Sequence, residues 1–468
     1  MNRTLPASPA PECVDSKARD RCTPADRETP EVDDIPVTLA RVAQTWWPLA
    51  LSWLLMSIEG PAHSAVVARL ANPEINLAAW GGIVFPLALI IEAPAVMLLS
   101  ASTALSKDWE TFRKLRRIAM ILGATFTLVH LAVAFTPLYD FIARQLIGAP
   151  EEILEPGRIG LMIMTPWTWA IAYRRFLQGA MIRFGHSRAV GAGTVVRMTA
   201  NGLVLLTGYL IGTIPGIIVA SCAVAAGVMA EAAYAGIRIR PIVRTQIRSA
   251  PRSTSQLTPG AFLSFYVPLA LTSLLSFFVS PISSAAMSRM PVALSSLAAW
   301  PVVSGLLFML RSPGMAFNEV VVAMLDQPRS YAALRRFAVL LGLGSLLLAT
   351  GVVATPMANV WLNQVMALPA ELSQLSRVAL LLALPLPLWA VFYSWFQGII
   401  VNSKRTRAVT ESVVIYLALS TGIMVVGVAI ERFTGIYVAI VAMQCAALAQ
   451  LGWLSWRSRH ARRAWASS

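Results

Sequence analysis

The chain has 468 residues, of which 57% are hydrophobic and only 13% are charged, and its mean hydropathy is +0.65. In a soluble globular domain about a quarter of the residues are charged, so this composition excludes that class and indicates a polytopic membrane protein. The net charge of +15 does not indicate a nucleic-acid partner, because the basic residues are spread over connectors between apolar segments, where they meet anionic lipid.

Residues 1–36 form the first predicted element, a disordered cytoplasmic tail. This segment is rich in proline, mixed in charge and without an apolar run, and it lacks the order of regions of a cleavable signal. It contains Cys13 and Cys22, whereas Cys222 and Cys445 lie in apolar segments. These positions predict neither a disulfide framework nor a metal site.

Twelve apolar segments follow, each long enough to cross about 30 Å of hydrocarbon. They cover residues 42–70, 77–106, 116–137, 159–182, 188–211, 214–237, 262–287, 297–325, 334–357, 374–401, 408–430 and 434–456. Lys and Arg collect in the connectors after even-numbered segments, as in "SKDWETFRKLRR" at 106–117, while the alternate connectors are short or acidic. The positive-inside rule therefore predicts that both termini lie in the cytoplasm.

The chain repeats itself after 219 or 220 residues. The shift places "WPLAL" (47–51) on "VPLAL" (267–271), "LAAW" (77–80) on "LAAW" (297–300) and "RAV" (188–190) on "RAV" (407–409). Each half holds six segments, an even number, so the halves share one orientation and form a parallel repeat of the kind found in transporters.

The predicted fold class is therefore an all-α polytopic membrane protein with twelve transmembrane helices in two pseudo-symmetric six-helix lobes. The predicted parts after the tail are an N-terminal lobe at 37–240, a basic cytoplasmic linker at 241–260, a C-terminal lobe at 261–458 and a cytoplasmic tail at 459–468.

The duplicated six-span unit, with a kinked first span and a basic connector between halves, resembles the multidrug/oligosaccharidyl-lipid/polysaccharide flippase (MOP) superfamily, which includes the multidrug and toxic compound extrusion (MATE) transporters. Within it, "WWPLAL" at 46–51 and "SPISSAAMSR" at 280–289 are most similar to the progressive ankylosis transporters. The resemblance implies an inverted V of two lobes that work by alternating access. It also implies export of small anions such as citrate, nucleotides or pyrophosphate, or, on the MATE side, of organic cations.

The first span contains "LMSIEGPAHSAVVARL" at 55–70, in which ionisable groups interrupt an apolar run. A charge near the bilayer centre costs at least about 2.5 to 3.5 kcal/mol, so such groups face a cavity or a partner. Gly60 and Pro61 predict a kink. Glu59 and His63 are therefore candidates for an ion-coupling gate that responds to H⁺ or Na⁺, and the alternative is a structural hydrogen-bonded pair.

Arg311 lies near the middle of span 8, and its repeat mate is close to Glu92 of span 2. Three interpretations stay open: Arg311 and Glu92 latch the lobes together in one state, Arg311 and Arg197 bind an anionic substrate, or Arg311 pairs within its lobe. The remaining candidates for substrate binding or gating are Asn201, Glu319 and Tyr173.

Enzymatic motifs are missing from the sequence: it has no phosphate-binding loop, nucleophile elbow or zinc-protease signature. We therefore expect no enzyme and no cofactor, but a monomeric secondary active transporter in the bacterial inner membrane, with a small-molecule substrate and H⁺ or Na⁺ as coupling ion. Three functions remain as alternatives: an exporter of a small organic or phosphorylated anion, a MATE-like exporter of drugs or organic cations, and a flippase for a lipid-linked precursor.

Overall fold

The computed structural model describes residues 37–251, 257–327, 330–403 and 407–466, and in these ranges the chain is helical without β-strands. The predicted tail at 1–36 and part of the predicted linker at 241–260 lie outside the described residues. The helices of the first half, called the N lobe, are α1 (Leu39–Ser57), α2 (Glu59–Val67), α3 (Pro73–Ala79), α4 (Phe85–Val96), α5 (Leu98–Leu105), α6 (Trp109–Phe135), α7 (Leu138–Asp140), α8 (Leu154–Arg183), α9 (Ser187–Ile211) and α10 (Gly216–Ile242).

The second half, called the C lobe, repeats this order. Its helices are α11 (Pro259–Ser288), α12 (Ala293–Met324), α13 (Ser330–Val353), α14 (Met357–Asn359), α15 (Ala370–Leu382), α16 (Leu386–Asn402), α17 (Arg407–Ile430) and α18 (Gly435–Ala466). π-helical turns lie at Trp80–Val84, Phe141–Ile147, Val243–Ile247 and Val360–Val365, and a 3-10 turn lies at Glu151–Ile153.

The chain is a multi-pass membrane protein. Nine helical segments of the described ranges are long and apolar enough to cross a membrane, or ten if α15 and α16, which are bent by 43°, form one span. The two predicted spans outside this count are α1 with α2 and α8. Both carry ionisable groups in their apolar stretches, among them Glu59 in the first and Arg174 in the second, and the fold is consistent with the twelve predicted spans.

The internal repeat recurs in the helix boundaries. α11 begins at Pro259, which is 220 positions after Leu39, and the three-residue helix α14 follows α7 by 219 positions. Left-handed backbone recurs as well, with φ of 52° at Asn72 and 60° at Val292. A β-branched residue rarely adopts this conformation, so the turn required between the first two spans of each lobe, and not local preference, places Val292 there.

The repeated "LAAW" segments meet at the interface between the lobes. Ala78, Ala79, Ala298 and Ala299 are fully buried, and α3 packs against α12. A Cβ on Gly81 would lie 2.6 Å from Cδ of Pro301, so glycine is required at this approach. Small residues let helices come close together, which is the usual basis of helix association in membranes.

Two hydrogen bonds between the lobes are equivalent by the internal repeat. The Nε1 group of Trp46 in α1 donates to the carbonyl of Pro313 in α12 at 2.8 Å, and the hydroxyl of Tyr266 in α11 donates to the carbonyl of Pro94 in α4 at 2.8 Å. The aromatic residues are 220 positions apart and the prolines 219. The first helix of each lobe thus docks on the second span of the other lobe.

The first span is interrupted at Ile58, where the sequence predicts a kink. Pro61 has no amide hydrogen for the carbonyl of Ser57 four residues earlier, and its ring clashes with that carbonyl. A Cβ on Gly305 of α12 would lie 3.2 Å from Cδ of Pro61, so the broken segment lies against the C lobe. The break places Glu59 at the first position of α2.

Candidate functional site

Glu59 is held at the break of the first span by two side chains of α9. Its Oε2 atom lies 2.8 Å from Nη1 of Arg197, and its Oε1 atom accepts a hydrogen bond of 2.8 Å from Nδ2 of Asn201. Arg197 and Asn201 are four residues apart, which puts them on one face of the helix. The Glu59 and Arg197 side chains are 18% and 16% exposed, so the pair is shielded from most but not all solvent.

The same arginine is linked to a fully buried carboxylate, Glu231 of α10. Nε of Arg197 lies 3.5 Å from Oε2 of Glu231, which also forms an ion pair with Arg174 of α8. Nε2 of Gln178 donates to the other oxygen of Glu231 at 2.7 Å. We call this group the N-lobe ion network; it consists of Glu59, Arg174, Gln178, Arg197, Asn201 and Glu231. Its two carboxylates and two guanidinium groups balance each other's charge across four helices.

His63 and Glu92 lie beside the N-lobe ion network. Nδ1 of His63 lies 2.6 Å from the backbone oxygen of Glu59, and the ring stacks on Trp80 with the centroids 5.8 Å apart. Nε2 of His63 and Oε2 of Glu92 are buried without a hydrogen-bond partner. Only 4% of Glu92 is exposed, and its nearby cations are Arg174 and Arg175.

A cavity of about 320 Å³ lies among α11, α12, α16, α17 and α18 of the C lobe. We call it the C-lobe cavity. Its polar lining consists of Ser276, Arg311, Tyr393, Tyr416 and Gln450, and most of the rest is aliphatic, with Trp389 as an aromatic wall. Arg311 is the one charged residue among the described residues that line it. Its Nε atom is buried without a hydrogen-bond partner, and no ion pair within the described ranges includes it.

The C-lobe cavity lies at positions that repeat the N-lobe ion network. Tyr393 follows Arg174, Tyr416 follows Arg197 and Gln450 follows Glu231, each by 219 positions, and Arg311 follows Glu92 by the same number. The two lobes therefore place polar groups at matching sites. The N lobe has balanced charges at these sites, whereas the described residues of the C-lobe cavity include one positive charge and no counter-charge.

The structure brings Glu59, His63, Arg197 and Asn201 together. Arg197 is engaged by carboxylates of its own lobe, whereas Arg311 lines the C-lobe cavity, and Arg197 is not among the residues that line this cavity. No ion pair joins Glu92 to Arg311 within the described ranges either.

The last two predicted residues form no hydrogen bond or ion pair with the N-lobe ion network in the described ranges and do not line the C-lobe cavity. Glu319 is exposed on α12 and accepts a hydrogen bond of 3.2 Å from Nε1 of Trp53. Tyr173 is half-buried on α8, and its hydroxyl packs against Gly236 of α10. Tyr416 and Gln450, which line the C-lobe cavity, are not among the predicted site residues. The shift of 219 positions is the signal that connects Glu231 to Gln450 and Arg197 to Tyr416.

No protein-family model and no curated protein matches the chain. Solved structures do match it over nearly the whole length. An inward-facing MATE multidrug resistance transporter of the MOP superfamily has a TM-score of 0.71 at 13% identity, and the match covers 89% of this chain and 99% of that one. An outward-facing MATE transporter has a TM-score of 0.61 at 16% identity, covering 91% and 97%.

The lipid II flippase MurJ, in an inward closed conformation, has a TM-score of 0.66 at 14% identity, covering 88% of this chain and 87% of that one. Likeness at such low identity reports the shared arrangement of helices. The chain therefore has the MATE-like fold that the multidrug transporters and the lipid II flippase share.

Proposed function

We propose that the protein is a secondary active transporter in which the two lobes alternate access to a central path, and that its substrate is a small organic or phosphorylated anion. The observation that carries the proposal is Arg311, a guanidinium that has no partner among the described residues and lies in a cavity of a MATE-like fold. A buried arginine keeps its charge and forks onto carboxylate or phosphate oxygens. An anion is the counter-charge that this site lacks. The likeness of "WWPLAL" to the progressive ankylosis transporters favours the same class of substrate.

Energy for transport comes in this proposal from an ion gradient that acts on the N-lobe ion network. Glu59 lies at the break of the first span and is tied to α9 through Arg197 and Asn201. A change in the charge of Glu59 alters both contacts, and with them the link between the broken span and the rest of the N lobe. Glu59 is thus the proposed coupling residue for H⁺ or Na⁺, with His63 as its neighbour.

The test is flux into sealed proteoliposomes under imposed gradients, with labelled citrate, pyrophosphate, p-toluenesulfonate and the cation ethidium as probes. Arg311→Glu should abolish anion flux, because it reverses the charge at the site. Arg336→Glu, a reversal at an exposed arginine of α13, is the matched control and should leave flux unchanged. Anion flux that survives Arg311→Glu would remove the proposal.

A second candidate, export of organic cations, is supported by Glu92. Its carboxyl group is 4% exposed and has one oxygen without a hydrogen-bond partner, and the solved relatives include multidrug transporters. In that case Glu92→Gln should abolish ethidium efflux while Arg311→Glu leaves it intact.

A further inference from the structure

The C-lobe cavity contains a single positive charge among its described residues. This limits how much negative charge of a bound ligand the cavity can neutralise. Its lining has no second arginine or lysine and no acid among the described residues. A bound monoanion would leave the cavity neutral. A trianion or tetraanion would leave two or three negative charges without a partner in a cavity lined mainly by apolar side chains, and uncompensated charge in such surroundings is unfavourable.

The C-lobe cavity offers hydrogen-bond donors besides Arg311. The hydroxyl groups of Tyr393 and Tyr416 have no hydrogen-bond partner in the described ranges, and both tyrosines line the cavity with Arg311. Two hydroxyl donors beside a guanidinium fork satisfy the oxygens of one carboxylate or sulfonate. Gln450 is already engaged, since its Nε2 group donates to Ser412 at 3.3 Å.

The remainder of the C-lobe cavity is apolar. Trp389, Leu386 and Met443 are among the residues that form its walls. Binding pockets of this type take up the apolar body of a ligand and orient it by a few polar groups. A compact, highly hydrated anion would leave these walls without a contact.

We infer that the substrate is an amphipathic organic monoanion, with one carboxylate or sulfonate on Arg311, Tyr393 and Tyr416 and an aromatic or aliphatic body against Trp389. This inference rests on the proposed anion transport and narrows it. Citrate and pyrophosphate are then poor substrates, because each carries more negative charge than the cavity compensates.

The experiment compares p-toluenesulfonate, a permanent aromatic monoanion, with citrate and pyrophosphate in proteoliposomes that contain the full chain. We expect at least tenfold faster uptake of p-toluenesulfonate, and at least a tenfold loss of that uptake in Arg311→Gln. Tyr416→Arg introduces the residue type of the repeat mate Arg197 and adds a second positive charge to the cavity. This variant should therefore raise the rate of citrate uptake relative to that of p-toluenesulfonate.

Faster uptake of citrate or pyrophosphate by the unmodified protein, lost in Arg311→Gln, would overturn this inference and leave the proposed function standing. Anion uptake that is insensitive to Arg311→Gln would overturn both. If a variant does not fold, the inference is tested on the unmodified protein. In detergent, p-toluenesulfonate should raise the Tm of this protein more than citrate does at equal concentration. A larger increase with citrate would contradict the inference.

A second set of contacts joins the lobes at the face of the bundle where the first span of each lobe ends. Arg69 follows α2, and Arg289 follows α11 at a distance of 220 positions. Each guanidinium reaches the other lobe and binds the last carbonyls of its π-helical turn. Arg69 donates to Gln364 at 2.6 Å and Val365 at 2.8 Å, and Arg289 donates to Gln145 at 2.8 Å, Leu146 at 2.9 Å and Ile147 at 2.7 Å.

These contacts use groups that the turns leave free. The carbonyls at the end of a helical turn have no partner within the turn and carry partial negative charge, which favours a cation. Gly148, with φ of 72°, ends the first turn, and a Cβ there would lie 3.1 Å from Cζ of Arg289. The turn, the glycine and the arginine thus fit together as one clasp.

We propose that Arg69 and Arg289 form a double clasp that holds the two lobes together at this face. Both arginines must release their carbonyl partners before the path between the lobes can open there. The charge distribution predicts this face to be the outer one, opposite the termini. The better superposition on an inward-facing transporter than on an outward-facing one fits a closed outer face.

The test measures the distance between spin labels on Leu138 and Met357, the exposed first residues of α7 and α14, in a chain whose four cysteines are replaced by serine. Arg69→Gln with Arg289→Gln should at least double the fraction of molecules at long distance, and each single change should give a smaller increase. Arg158→Gln is the control, because Arg158 lies near this face but bonds within its own lobe to Asp140 and Ala134.

Unchanged distances in the double variant, or an equal shift in Arg158→Gln, would overturn the clasp. Where the double variant does not fold, the single variants decide, since distances that match the unmodified protein in both would also overturn it.

Discussion

The N-lobe ion network and the C-lobe cavity occupy matching positions of a duplicated helical unit, yet they differ in charge balance. In the N lobe, Glu59 and Glu231 pair with Arg197 and Arg174. In the C lobe, tyrosines and a glutamine occupy the positions that repeat three of these residues, and Arg311 has no partner in the part of the chain that the structure describes. The repeat thus preserved the frame but not the charges, and in the proposed function the N-lobe site serves coupling while the C-lobe site binds the substrate.

The largest expected difference between the lobes is in stability. Arg174→Leu removes the nearest counter-charge of the buried Glu231 and leaves only the more distant contact with Arg197, so we expect a loss toward the lower end of about 3 to 5 kcal/mol of folding free energy. Tyr393→Phe, at the matching position of the C lobe, removes a hydroxyl without a partner and should leave Tm nearly unchanged. Thermal unfolding in detergent measures both. The double variant Arg174→Leu, Glu231→Leu should recover at least half of the loss, and equal effects at the two positions would contradict the comparison.

An intermediate effect is expected for coupling. Glu59→Gln removes a group that can change its charge, while Arg197 keeps its contact with Glu231. Transport by this variant should proceed at the same rate with and without an imposed ion gradient. Glu319→Gln is the control, because Glu319 is exposed and lies outside both sites, and it should retain the full response. A response to the gradient that persists in Glu59→Gln would remove Glu59 as the coupling residue.

The smallest effect is expected where the lobes are alike. Trp46→Phe and Tyr266→Phe each remove one hydrogen bond between the lobes, to Pro313 and Pro94 respectively. Each loss should reduce stability by about 0.5 to 1.5 kcal/mol, since the two bonds are equivalent by the repeat. Unfolding curves that show a large loss for one variant and none for the other would indicate that the frame is not symmetric.

Much of the fold was predictable because the signals are local or periodic. Apolar length predicted the spans, Pro61 predicted the break near Ile58, and "LAAW" at 77–80 and 297–300 revealed the repeat. In the structure, "LAAW" proves to be where the lobes touch. The likeness of the fold to MATE transporters follows from the same features.

The partners of buried charges were not predictable, because they depend on which helix faces meet. The sequence indicates that Arg197 and Arg311 lie near mid-membrane, but it does not show that Arg197 meets Glu59 and Glu231, so a shared anion site of the two arginines is one of three interpretations that the sequence leaves open. Asn201 is four residues from Arg197, yet only the packing of α9 against α2 makes it a partner of Glu59. Local spacing does not encode such a contact.

The most direct test of the central claim is the location of a bound anion. An electron cryomicroscopy map of the protein with p-toluenesulfonate should show ligand density in the C-lobe cavity, with its charged end at Arg311 between Tyr393 and Tyr416. Density among Glu59, Arg197 and Glu231, with an empty C-lobe cavity, would contradict the division of tasks between the lobes.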